Sequence, residues 1–171
     1  MQKTTYLVSS LLLLFIIVIS VISYKSDDTI IQQAEETARD TFFHEDVPTE
    51  NYQGEFFSFY LPANMEVEEV DANNAILQSG DQTFLVFYNT LEDRNSTLNY
   101  NAAQNDEAVL LESFSDEEKF GYIRLLPSDE NHDVYEIQIG VGGVKITTFS
   151  QKSEIIVETE NLMKTALSLA Q

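Results

Sequence analysis

The residues best spaced for chemistry are Asp129, Asn131 and Asp133, in the run Asp129-Glu130-Asn131-His132-Asp133. Alternating oxygen side chains of this kind open calcium loops, where they converge on one hard cation. A complete loop also needs a glycine at its sixth position for the sharp turn and a bidentate glutamate at its twelfth. Val134 and Gly140 stand there instead. Asp and Asn are also ordinary turn formers. The run is therefore read as a solvated hairpin loop, with Asp129, Asn131 and Asp133 as the candidate metal ligands.

Other reactive arrangements are thinner. Glu112, Asp116, Glu117 and Glu118 cluster in sequence, but paired carboxylates do acid–base work only when one is buried with a raised pKa. An acidic turn guarding a sheet edge explains them as well. The chain has no cysteine, which removes thiolate nucleophiles, cysteine metal sites and disulfides together. Its two histidines, His44 and His132, have no evident serine partner, and no G-x-S-x-G elbow occurs. Gly140-Val141-Gly142-Gly143 is not followed by the lysine of a phosphate loop, so it reads as a hairpin turn. No catalytic residue and no cofactor is expected.

Residues 6–24 form a run of 19 without a charge. As a helix the run reaches roughly 28 Å, close to the ~30 Å hydrocarbon thickness. Tyr6 and Tyr24 stand at its two ends, where amphipathic rings favour the interface. A secretory signal peptide is the competing reading, but its apolar region is shorter and ends in a small-x-small site, for which Val21-Ile22-Ser23 is a modest match. Lys3 precedes the run, whereas Lys25 is followed at once by Asp27 and Asp28. The positive-inside bias places the N-terminus in the cytoplasm and the rest outside. The expected organisation is a tail over 1–5, a transmembrane anchor over 6–24, a juxtamembrane helix and linker over 25–51, and an extracytoplasmic domain over 52–171.

All 29 acidic residues follow the anchor. Past Ser26 they face 7 basic ones, a net of −22. Such a surface repels phosphates of nucleic acids and anionic headgroups. Nucleic acid is excluded as a partner, and membrane contact is expected through the N-terminal helix only.

Within the polar part, Ile30, Ile31, Ala34, Ala38, Thr41 and Phe42 recur at helical spacing, and Glu35 is placed to pair with Arg39. This helix either continues the anchor or docks on the domain. Period-two alternation then begins. Phe57, Phe59 and Leu61 alternate with Phe56, Ser58 and Tyr60 up to Pro62. Strands follow over 65–70, 75–79 and 82–88, the last two joined by Gly80-Asp81 in a type II′ turn. In the 82–88 strand Thr83, Leu85 and Phe87 face one way and Phe84, Val86 and Tyr88 the other. Both sets are largely apolar, which predicts a central strand covered on both faces.

After an asparagine-rich stretch with a short helix near 98–104, strands are expected over 107–114, 119–126, 134–139 and 144–149. A terminal helix follows, capped by Ser153, with Ile155, Leu162, Met163, Ala166 and Leu167 on one stripe and Glu160 paired with Lys164. Connections this short exclude parallel crossovers. The fold class is therefore α+β: a mostly antiparallel sheet of about six to eight strands with N- and C-terminal helices packed on it, after one transmembrane helix.

The opening strand Phe57-Ser58-Phe59-Tyr60-Leu61-Pro62, aromatic-x-aromatic and closed by proline, resembles that of the PsbP-like αβα family, as does a long hairpin running into a C-terminal helix. The resemblance covers about residues 52–170. It implies an accessory or binding module rather than an enzyme, and it carries no family site residue to a position here.

The preferred expectation is a non-catalytic interaction module at the cell envelope, acting on another membrane or envelope protein. It calls for an exposed aromatic patch and no buried, shifted carboxylate. The alternatives are a calcium-responsive module using the 129–133 loop and, last, an envelope hydrolase with a cleft where Ser, His and carboxylate meet.

Overall fold

A computed structural model describes residues 2–23, 27–44, 48–131 and 133–170. Helix α1 covers Gln2–Ser23. Side chains described along it, including those of residues 11–17, are exposed, and none enters the core cluster of the domain. Among the described residues no helix is long and apolar enough to cross a membrane. The side chains of residues 18–23, and Tyr24 itself, lie outside the described ones, so the expected anchor over 6–24 falls partly beyond them.

Helix α2 (Asp27–Phe42) docks on the domain. Ile30, Ala34, Ala38 and Phe42 recur every fourth residue and are all buried, making a narrow apolar stripe. The two alanines at its centre let the facing helix come close. Both ends of α2 are tied down. Asp27 in its first turn pairs with Lys152. At the other end Lys119 Nζ donates to the Phe42 carbonyl at 2.7 Å, a cation placed where the helix dipole is negative. The expected Glu35–Arg39 pair is present at 3.0 Å on the exposed side.

Two short strands, β1 (Tyr52–Gln53) and β2 (Ser58–Phe59), pair with each other outside the main sheet. The sequence predicted a longer strand here. The flanking backbone finds other partners: Tyr60 N–H donates to Ser168 Oγ (2.8 Å), and Thr165 Oγ1 donates to the Tyr60 carbonyl (3.0 Å). Asn51 also bonds both backbone groups of Leu61. These side chains take the place of a strand ladder.

The main sheet has seven strands, all antiparallel. In chain order they are β3 (Glu66–Val70), β4 (Asn74–Ser79), β5 (Gln82–Tyr88), β6 (Leu110–Ser115), β7 (Phe120–Pro127), β8 (Val134–Val141) and β9 (Val144–Gln151). Their spatial order is β3-β4-β5-β9-β8-β7-β6. The Gly80 turn between β4 and β5 has φ +58°, as the II′ reading requires. A short helix, α3 (Leu98–Ala102), interrupts the long excursion between β5 and β6. The last helix, α4 (Ile155–Leu169), follows β9 after a tight turn. Glu154 rather than Ser153 sits at its cap position, and no side-chain cap bond forms; the Ser153 hydroxyl turns to the Glu154 carboxylate.

Helices α2 and α4 lie together on one face of the sheet. Beneath them run cross-strand rows such as Ala75–Val86–Ile146–Ile139–Ile123, all buried. The Phe42 ring fills the space above Gly121, where an added Cβ would come within 2.7 Å of it. Thus the coarse expectation holds: an α+β fold with an antiparallel sheet and both terminal helices packed on it.

Candidate functional site

The second face of the sheet divides into two halves with opposite fates. Over β7 and β8 the excursion between β5 and β6 forms a cover. It is fastened at the β8–β9 turn, where Asn99 Nδ2 donates to the Gly142 carbonyl (3.1 Å) and the Asn89 amide to that of Gly143 (3.0 Å). Gly142 has φ +53°, and a Cβ there would meet the Asp93 carbonyl at 2.5 Å. The expected hairpin turn is therefore present. Its glycines serve both the turn and the close passage of the covering chain.

Under this cover lies a polar row. Tyr122 O–H donates to Gln138 Oε1 at 3.0 Å, and Gln138 Nε2 reaches Thr147 Oγ1 at 3.4 Å. Arg124 pairs with Glu136 and donates to the Ala103 carbonyl at 3.2 Å. Burial pushes the Tyr122 phenol up, with the Arg124 charge opposing. Tyr100 packs edge-on against Tyr122. Most of the row's bonds join β7, β8 and β9 to one another, and the Arg124 bond to Ala103 ties the cover to the sheet.

Among the described residues no such cover lies over β3, β4, β5 and β9. The second face here presents Ile76, Leu85, Phe87, Thr147 and Phe149. Leu85 is 54% exposed and Phe149 59%. Ile76, Leu85 and Phe87 line a groove of ≈ 530 Å³, with Lys145 over the Phe87 ring at 5.5 Å and Glu69 and Asp71 on the β3 side. The sequence placed β5 centrally, which is correct, and predicted cover on both faces, which is not. Phe84 and Val86 are buried under the helices, whereas Leu85 on the other side meets open space. The covering excursion runs across β7 and β8 instead.

The predicted metal ligands sit in the β7–β8 loop. Asp129, Asn131 and Asp133 are exposed. Asn131 Oδ1 accepts the Asp133 amide (3.0 Å), and the Asn131 carbonyl accepts that of Val134 (3.0 Å), so its oxygens already hold the turn. His132 lies outside the described residues. Among the described residues no group of three or more His, Asp and Glu is arranged to hold a metal ion. In the second acidic cluster Asp116 Oδ1 accepts the amides of Glu118 and Lys119, a turn-forming role. His44 borders a groove of ≈ 310 Å³ between α2 and α4 with Asp40, Thr41 and Glu160; no serine is among its described lining residues.

One group escaped sequence reasoning. Glu158 of α4 is buried against β9, on the helix-covered face. Burial pushes its carboxyl above the usual range, partly offset by the Ser150 and Gln82 side chains. Its Oε2 and the neighbouring Thr159 Oγ1 have no hydrogen-bond partner among the described residues. An interaction module was expected to hold no such carboxylate. Its place on the apolar stripe, between Ile155 and Leu162, was the only sequence signal.

No protein-family model, no curated protein and no solved structure matches this chain.

Proposed function

We propose that the chain is a single-pass membrane protein whose N-terminal helix tethers an acidic α+β domain on the extracytoplasmic side. The domain acts there as a non-catalytic module that binds another membrane or envelope protein. The observation that carries this reading is the uncovered half of the sheet. Leu85 and Phe87 on β5 and Phe149 on the neighbouring β9 stay partly or largely exposed, and an exposed apolar face of that kind marks an interaction surface. The buried Glu158 does not favour catalysis. It projects from α4 onto the opposite face of the sheet, away from this groove.

Support for the tether comes from the apolar run and from the helical backbone over Gln2–Ser23. A helix of that length reaches roughly 33 Å. Kinship with PsbP-like αβα folds is also proposed, on the β8–β9 hairpin that leads directly into α4.

The test is photocrosslinking in intact cells, with the crosslinker placed at Leu85, at Phe149 and, as control, at Leu91, which is 92% exposed in the excursion after β5 and does not line the groove. A discrete adduct is expected from the first two positions and not from the third. Identical patterns from all three positions refute the module. External protease should remove the domain on intact cells; full protection refutes the sidedness.

A further inference from the structure

The uncovered groove has an unequal border. On the β3 side stand Glu66 and Glu69, on the same face as Gln78 and Ile76, and Asp71 follows where the strand ends. The Asp71 carboxylate accepts the backbone amides of Asn73 and Asn74, and the Asn73 bond first, then the Asn74 side chain, hold its pKa below the usual value. Lys145 is the only cation among the groove's described lining residues. The floor is apolar: Ile76, Leu85 and Phe87.

Three occupants are disfavoured by these charges and by the shape of the edge. A second copy of residues 27–171 would bring another net −22 against the same acidic rim. Anionic lipid would meet the same repulsion. Addition of a strand to the free edge of β3 is opposed by the register break between Val67 and Glu69 and by exposed Glu66, Glu68 and Glu69, which are the usual devices against edge pairing.

We infer that the groove takes a cationic segment of a partner protein, its apolar side chains on Ile76, Leu85 and Phe87 and its lysines or arginines against Glu66, Glu69 and Asp71. Charge complementarity at the rim steers and orients such a segment, while the apolar floor holds it. This rests on the interaction-module reading and names the chemistry of its partner.

The test uses the full chain in phosphatidylcholine nanodiscs and three labelled peptides. One alternates lysine with leucine and phenylalanine; the second replaces lysine by glutamate; the third replaces the apolar residues by serine. Fluorescence anisotropy should show the first binding roughly tenfold more tightly than either other peptide. The double variant Glu66→Gln/Glu69→Gln should weaken it roughly tenfold, whereas Glu112→Gln/Glu117→Gln on the opposite edge should change it less than about twofold. Leu85→Ser should weaken it comparably, in a chain whose melting temperature is unchanged.

Equal weakening by both charge pairs, or equal binding of the lysine–serine peptide, would reduce the effect to general attraction to an acidic surface and overturn the inference. Absence of binding by the first peptide overturns it too. Crosslinks from Leu85 and Phe149 in cells, together with any of those results, leave the module standing and remove only its cationic partner.

Discussion

Replacing Phe42 by Ala measures whether α2 belongs to the domain's core. The ring is fully buried, stacks at an angle on Phe114 with centroids 5.8 Å apart, and meets Phe43 edge-on at 5.0 Å. Lys119 Nζ lies 4.7 Å from its centroid. Deleting a buried phenyl group costs about 3–5 kcal/mol, because the cavity above Gly121 has backbone beneath it and closes poorly. Against a domain stability of about 5–15 kcal/mol, that is a large fraction. The expected fall in melting temperature is roughly 6–20 °C. The assay is urea unfolding of the detergent-solubilised chain, with Phe56→Ala as reference, since Phe56 is 51% exposed and should cost less than about 1 kcal/mol. A double-mutant cycle with Lys119→Met should show a coupling of about 0.5–2 kcal/mol from the cation above the ring. A loss at Phe42 below about 1 kcal/mol would refute the docking of α2.

Glu158→Gln should alter the pH dependence of stability. The folded pKa lies above the ordinary 4.5, so the unfolded chain gives up this proton first. Wild type then loses stability relative to the variant as pH rises from about 4.5 through the raised folded value, and the gap is constant above it. Parallel urea midpoints from pH 4 to pH 8 (roughly the span in which a raised carboxyl titrates) would contradict this. Gly142→Ala should destabilise by about 2 kcal/mol or more, since a positive φ combines with backbone atoms of Asp93 and Arg94 within 2.9 Å of the new Cβ; a melting temperature equal to wild type would refute the close crossing. Calcium at millimolar levels should leave the melting temperature unchanged. A rise abolished by Asp129→Ala would identify Asp129, Asn131 and Asp133 as ligands.

Much of the architecture was legible because short connections force antiparallel pairing. The Gly80-Asp81 hairpin was readable almost to the residue: 75–79 and 82–88 predicted, Asn74–Ser79 and Gln82–Tyr88 found. The miss at Phe57–Leu61 has a long-range cause. Its backbone partners, Thr165 and Ser168, are more than a hundred residues away, and no local pattern announces them. The open groove was half legible. Alternation identified Leu85 and Phe87 as one face of β5, but which half of the sheet the excursion covers depends on where Asn99 and Asn89 meet the β8–β9 turn. Glu158 was hidden because burial follows from packing, and a lone glutamate on a helix is ordinarily solvated.

The Asp27–Lys152 pair clamps the first turn of α2 just past the end of β9. Lys145 lies seven residues back along the same strand, about 23 Å away. One strand thus carries the α2 clamp at one end and a wall of the groove at the other, so a partner can enter the groove without touching the clamp.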